Sequence, residues 1–254
     1  MPQPLTSSLT ATETNLTLAR KLFVSAMGLA VLGCLALGVD LPVLHPFVTK
    51  SPGPIWESCR TAIQKFVHPG ETFAHGWAIA IMLLAFYAVD TARRRGLLRI
   101  AVVVAVAGLL ANIGKLIVGR SRPKAFFDAT IDGFSGGALE SFQGWLPLAS
   151  LGYTGQSVPS GHTTTAVVLG FMLWRRWPHA GWAFASLVAM SVLQRLTFGH
   201  HYPSDCLWGA ALACVVLGVA YHPALAGGWF DRFEGGTSRR QQTRRLPDLV
   251  AEPN

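Results

Sequence analysis

The sequence predicts an all-α fold, a polytopic membrane helical bundle of about six transmembrane helices. Three observations point there. Hydrophobic residues fill 51% of the 254 positions and Asp, Glu, Lys and Arg only 13%, about half the charged share of an ordinary soluble domain. The uncharged stretches approach the roughly 20 residues that a helix needs to cross a hydrocarbon core of about 30 Å. Finally, segments such as residues 100–111 are apolar all round, whereas a helix flanking a soluble core is striped with a 3.6-residue period.

The elements follow in order. Residues 22–39 come after Arg20-Lys21, as in a signal sequence, but no small-residue cleavage site follows and Asp40-Leu41-Pro42 comes next, so a retained helix is expected. Residues 41–72 hold five of the 15 prolines, too many for a span. They read as an external connection, helical over 55–67 and lying in the headgroup plane. Further spans are expected over 73–89, 100–114 (continuing past Lys115 to 119), 161–174, 177–194 and 206–230. The 161–174 run is short and is expected to borrow a turn at each end. In residues 124–158, glycines and the acids Asp128, Asp132 and Glu140 interrupt the aromatics Phe126, Phe127, Phe134, Phe142, Trp145 and Tyr153, which argues against another span. A lid or headgroup-selecting loop is favoured over an outward loop without a role. The layout is then an N-terminal segment 1–19, a six-span domain 20–230 with extracytoplasmic segments 41–72 and 120–160, and a loose tail 231–254.

The net charge of +8 reports topology. Alternating six spans from a cytoplasmic N-terminus puts the larger share of Lys and Arg inside, among them Arg93, Arg94, Arg95, Arg99, Arg175, Arg176 and Arg239–Arg245. Both termini are then cytoplasmic, and the charge no longer argues for nucleic acid. Four cysteines do not staple a chain of this length; Cys59 and Cys206 are the pair that could both face outward.

Polar groups at membrane depth are costly and are candidates for function. Three clusters sit at span ends that emerge on the same side: Lys115 to Arg122-Pro123, Pro159-Ser160-Gly161-His162, and Arg195 through His200-His201 to Asp205. Lys115, Arg122 and Arg195 supply fixed cations, and guanidinium forks match tetrahedral oxyanions. Ser160 adds a hydroxyl, Gly161 lets the backbone come close, and the following helix start offers unpaired N–H groups. These features suit a phosphate-like dianion. His201 and Asp205, four apart, share a helical face. A carboxylate on one ring nitrogen leaves the other's lone pair free, which suits a histidine nucleophile. His162 is placed to act as general acid. A zinc site from His162, His201 and Asp205 is opposed by the three cations, so no metal and no cofactor is expected.

These clusters resemble the signature of the type 2 phosphatidic acid phosphatase superfamily: Lys-x6-Arg-Pro, Pro-Ser-Gly-His and Ser-Arg-x5-His-x3-Asp. Here they read Lys115…Arg122-Pro123, Pro159-Ser160-Gly161-His162 and Gln194-Arg195…His201…Asp205. The resemblance implies a metal-independent phosphatase with a phosphohistidine intermediate. His201 would attack phosphorus, Asp205 would orient it, and His162 would protonate the leaving group and then activate water. Lys115, Arg122, Ser160, Gly161 and Arg195 would hold the phosphoryl oxygens. Gln194 departs from the family's Ser, for which altered tuning is expected, and a structural or secondary involvement of His200 is left open. The implied partners are a lipid phosphate (polyprenyl pyrophosphate, phosphatidic acid, phosphatidylglycerol phosphate or lipid A type) and membrane lipids, with no obligate protein partner. A phosphotransferase using the same intermediate, a vanadate-dependent haloperoxidase and a non-enzymatic lipid-phosphate binder or transporter are the alternatives. The apolar spans disfavour the second, and the complete His162, His201 and Asp205 set disfavours the third.

Overall fold

The uncharged stretches are helical. The computed structural model describes residues 6–49, 53–90, 94–129, 137–148 and 152–235. Among these, α1 spans Thr6–Ala36, α2 Asp40–Val48, α3 Pro54–Val67, α4 Pro69–Phe73, α5 Gly76–Val89, α6 Arg94–Ile117 and α7 Pro123–Ala129. They are followed by α8 Gly161–Arg176, α9 Gly181–Thr197, α10 Pro203–Tyr221 and α11 Gly228–Gly235. Prolines open α3, α4 and α10 within the first turn, where a missing N–H costs nothing.

The core lies between α1, α6, α8 and α10. It is built from Leu22 and Ala26, Val103 and Ala107, Val168, Leu169 and Leu173, and Ala213 and Leu217. On the opposite face of α1, Val24, Met27, Val31 and Leu35 are exposed at 68%, 72%, 60% and 69%. An apolar stripe of that kind on a folded chain marks contact with an apolar medium.

Among the described residues, three helical segments are long and apolar enough to cross a membrane: Thr12–Ala36, Arg94–Ile117 and Pro203–Tyr221. A fourth is reached if Pro54–Phe73 and Gly76–Val89, bent by 63°, count as one span. The expected six are therefore not reached by length. With 16 and 17 residues, α8 and α9 rise about 24–26 Å, less than the roughly 30 Å hydrocarbon core. The short run at 161 borrows no turn at its start, because Ser160 caps α8 there and accepts from the Thr163 amide.

Two expectations change at the segment ends. The stretch expected to stay helical to 119 leaves the helix at Ile117. Val118–Arg120 instead forms strand β1, antiparallel to β2, Phe142–Trp145. The pairing continues onto the helix end, where the Leu146 amide donates to the Ile117 carbonyl. The N-terminal segment is already helical from Thr6. The expected loose tail begins as α11, which Arg99 holds. Its guanidinium lies 3.0 Å from Asp231 and 3.6 Å from Glu234, over the rings of Tyr221 and Phe230. The basic run Arg239–Arg245 lies outside the described residues, as do Arg93, Asp132 and Phe134. Cys59 and Cys206 are both free thiols, and Cys206 is buried.

Candidate active site

Each of the three clusters is set by a local device. Lys115 rides the last turn of α6. Arg122 follows β1, whose pairing with β2 turns the chain back toward α8. Pro159, after a cis peptide bond, lies against Gly114, where a Cβ would come within 2.7 Å of the Pro159 ring. Gly199, in the left-handed region at φ 65°, ends α9, and the amides of His200 and His201 fold back onto the Arg195 carbonyl at 3.0 and 3.2 Å. Asp205, three residues after Tyr202, accepts the Tyr202 amide at 3.0 Å and so caps α10.

The clusters meet. A Cβ on Gly161 would lie 3.3 Å from Lys115 Nζ, so the ammonium sits against the start of α8. The Ser160 amide donates to the Asp205 carbonyl at 3.1 Å, joining the second cluster to the third. At Gly209 a Cβ would come within 2.6 Å of the Ser160 carbonyl, so that glycine permits the contact between α8 and α10. Arg122 stacks on Tyr153 at 3.6 Å, donates to the Tyr153 carbonyl at 2.9 Å, and reaches the His200 carbonyl at 3.4 Å. Ser160 Oγ acts as acceptor for the Thr163 amide and hydroxyl, which leaves its own hydrogen to donate.

The two histidines differ in their surroundings. His201 is 1% exposed, and burial pushes its imidazole down to about 4 against the pull of Asp205, with Arg122 and Lys115 adding to the depression. It is therefore neutral at pH 7. Its Nδ1 stands 3.7 Å from Asp205 Oδ2, longer than a hydrogen bond, and has no other partner. His162 Nε2 is likewise buried and unpaired; Arg195, His201 and Lys115 act on it electrostatically, and His75 lies edge-on at 5.9 Å. His200 stacks parallel to Phe198. Burial, Arg195 and Arg122 depress it to about 4. Its contact to Arg122 is made by its backbone, a supporting position.

Two features were missed by sequence reasoning. Gln194 explains its own presence: its Oε1 accepts from Arg195 Nε and its Nε2 donates to Glu71 at 3.0 Å, while Glu71 pairs with Arg195 at 2.8 Å. Arg195 is thus clamped from two sides. Arg120 is fully buried and bridges two fully buried carboxylates, Asp205 at 2.5 Å and Asp40 at 2.7 Å. It also contacts Ser141 and Ser204 and the face of Tyr202 at 3.9 Å. The available signal was Asp40, an acid directly after an uncharged run, together with a third cation in the stretch that leaves α6.

Comparison with known proteins identifies a family. The profile of the PAP2 superfamily matches residues 96–226. A lipid A 1-phosphatase of Rhizobium etli is 31% identical over 128 residues, 50% of this chain and 44% of that protein. A second, from Rhizobium johnstonii, is 32% identical over 50% of this chain and 42% of its own length. Undecaprenyl-diphosphatase BcrC of Bacillus subtilis is 25% identical over 57% of this chain and 66% of that protein. The chain thus spans less than half the length of the lipid A 1-phosphatases it matches. No solved structure matches. Since the profile covers just over half of the 254 residues and contains all three clusters, this chain belongs to the PAP2 superfamily.

Proposed function

We propose that the protein is a multi-pass membrane phosphatase that hydrolyses a phosphomonoester or pyrophosphate of a lipid through a phosphohistidine, with no metal ion. The observation that carries this is His201: a buried neutral imidazole beside Asp205, in a site that also gathers the cations Lys115, Arg122 and Arg195, the last of them paired with Glu71.

The phosphoryl oxygens are held by those cations, by the Ser160 hydroxyl and by the amides at the start of α8 with Gly161. His201 Nε2 attacks phosphorus in line. The bond to the leaving oxygen breaks as His162 delivers a proton to it. Asp205 balances the charge of the phosphorylated imidazolium. Water, giving its proton to His162, then attacks phosphorus; the P–N bond breaks, and phosphate leaves with His201 neutral again. The clamp of cations stabilises the charge spread over the equatorial oxygens. The shorter helices α5, α8 and α9 complete six spans with α1, α6 and α10. This puts both termini in the cytoplasm and the site on the extracytoplasmic face. Segment 124–158 serves as lid, with Tyr153 laid over Arg122. The names of the relatives, a lipid A 1-phosphatase and an undecaprenyl-diphosphatase, favour a lipid phosphate or diphosphate as substrate.

The test is phosphate release by detergent-purified protein in excess EDTA, across polyprenyl pyrophosphate, phosphatidic acid, phosphatidylglycerol phosphate and lipid A, beside His201→Ala. Release that survives EDTA and is lost in the variant supports the proposal. EDTA-sensitive release, or full activity in His201→Ala, contradicts it.

A further inference from the structure

The carboxylate of Asp205 does not answer to His201 alone. Its Oδ1 takes the Arg120 Nη1 hydrogen bond at 2.5 Å. Its Oδ2 accepts from the Ser157 hydroxyl at 2.5 Å and from the Tyr202 amide, with His201 Nδ1 at 3.7 Å. On its far side, Arg120 Nη2 donates to Asp40 Oδ2. Asp40 also accepts from the Ser204 amide at 2.9 Å and the Ser204 hydroxyl at 2.5 Å. Every partner of Asp40 is a donor, the pattern of an ionised carboxylate; burial pushes its carboxyl above the usual range, and Ser204 and Arg120 oppose that rise. Asp40, Arg120, Ser157, Ser204 and Asp205 are all 0% exposed, so their charges are little screened by water.

We propose that Asp40, acting through Arg120, is a positioning residue that sets how strongly Asp205 supports His201. One guanidinium divided between two carboxylates leaves Asp205 with more of its negative charge than an undivided pair would. Asp40 lies in α2, outside the segment that the PAP2 profile covers. The N-terminal part of the chain therefore takes part in tuning the nucleophile. Ser157, at the end of segment 124–158, works in the opposite sense: its hydroxyl withdraws electron density from the oxygen nearest His201. Arg122 and Lys115 also act on His201, which in turn acts on His162; neither substitution below touches them. Tyr202 remains a neutral phenol, its proton held above the ordinary range by burial.

The signs follow. Asp40→Asn keeps the shape and removes a negative charge, which disfavours the imidazolium, so the His201 midpoint moves down. Ser157→Ala removes a donor from Asp205, which favours the imidazolium, so the midpoint moves up. A role confined to packing produces no such opposition.

The experiment is a 15N-histidine NMR titration of the full-length protein in detergent, with the His201 resonance assigned by its loss in His201→Asn. Displacements of about half a unit are expected, downward in Asp40→Asn and upward in Ser157→Ala. A shared direction, or no displacement in either variant, overturns the proposal. A second arm measures phosphate release from whichever panel lipid the wild type hydrolyses. Asp40→Asn is expected to lower kcat about tenfold while KM stays within about twofold. A changed KM with unchanged kcat overturns it. Arg120→Lys keeps the charge but cannot span both carboxylates, and stands in where Asp40→Asn does not survive purification: wild-type kcat there is contrary. Only this kinetic arm rests on His201 being the nucleophile. If His201→Ala retains activity, that assignment fails while the titration still judges the coupling.

Discussion

At the scale of residues, the site is organised by who neutralises whom. Arg195 has Glu71 and Gln194, Arg120 has Asp40 and Asp205, and Lys115 and Arg122 act on His201. Removing one partner of a buried ion pair leaves the other charge stranded, at a cost of about 3–5 kcal/mol. Arg120→Ala strands two carboxylates and is therefore expected to lower thermal stability more than Arg122→Ala, whose donors face backbone carbonyls. Thermal unfolding of the two variants in one detergent checks the order, and equal melting temperatures count against it. The motif residues were legible because their types and spacing carry chemistry on their own. Arg120, Asp40, Glu71 and Ser157 were not, since their meaning comes from contacts between distant parts of the chain: Asp40 and Arg120 are 80 positions apart, and Gln194 reaches Glu71 across 123.

At the scale of elements, glycine sets how closely the helices approach. Gly209→Ala puts a methyl group against the Ser160 backbone carbonyl, which cannot swing aside as a side chain can. Overpacking of this kind costs about 1–3 kcal/mol, and here the displaced element is the capped start of α8. A loss of phosphate release larger than the loss of stability is expected from Gly209→Ala, read from kcat/KM and the melting temperature of one preparation. Unchanged kcat/KM contradicts it. Apolar runs announced the long helices, but the ends of elements were misplaced wherever a tertiary contact decided them. Helix α6 stops at Ile117 because the chain turns into pairing with β2. Helix α11 forms because Arg99 gives it a docking point. Neither partner is local, so neither leaves a periodic signal in the sequence.

At the scale of the whole molecule, burial and charge together hold ionisable groups in one state. His200 and His201 are both depressed to about 4, against about 6.5 in an unfolded chain. Between those values the unfolded chain binds protons that the folded one refuses. The stability these neutral histidines lend is therefore complete above about pH 6.5 and is lost as pH falls toward 4. The melting temperature is expected to fall over that window, and to fall less steeply in His200→Gln; a flat profile contradicts it. The apolar stripe of α1 and, among the described residues, the three to four long helices suit a chain embedded in lipid. The central claim is covalent and is tested by trapping. Purified protein is mixed with a 32P-labelled lipid phosphate that it hydrolyses and quenched within milliseconds, and the label is mapped. The account predicts a label on His201 that is stable to base, labile to acid and absent from His201→Ala. Turnover with no labelled protein, or a label on another residue, would contradict it.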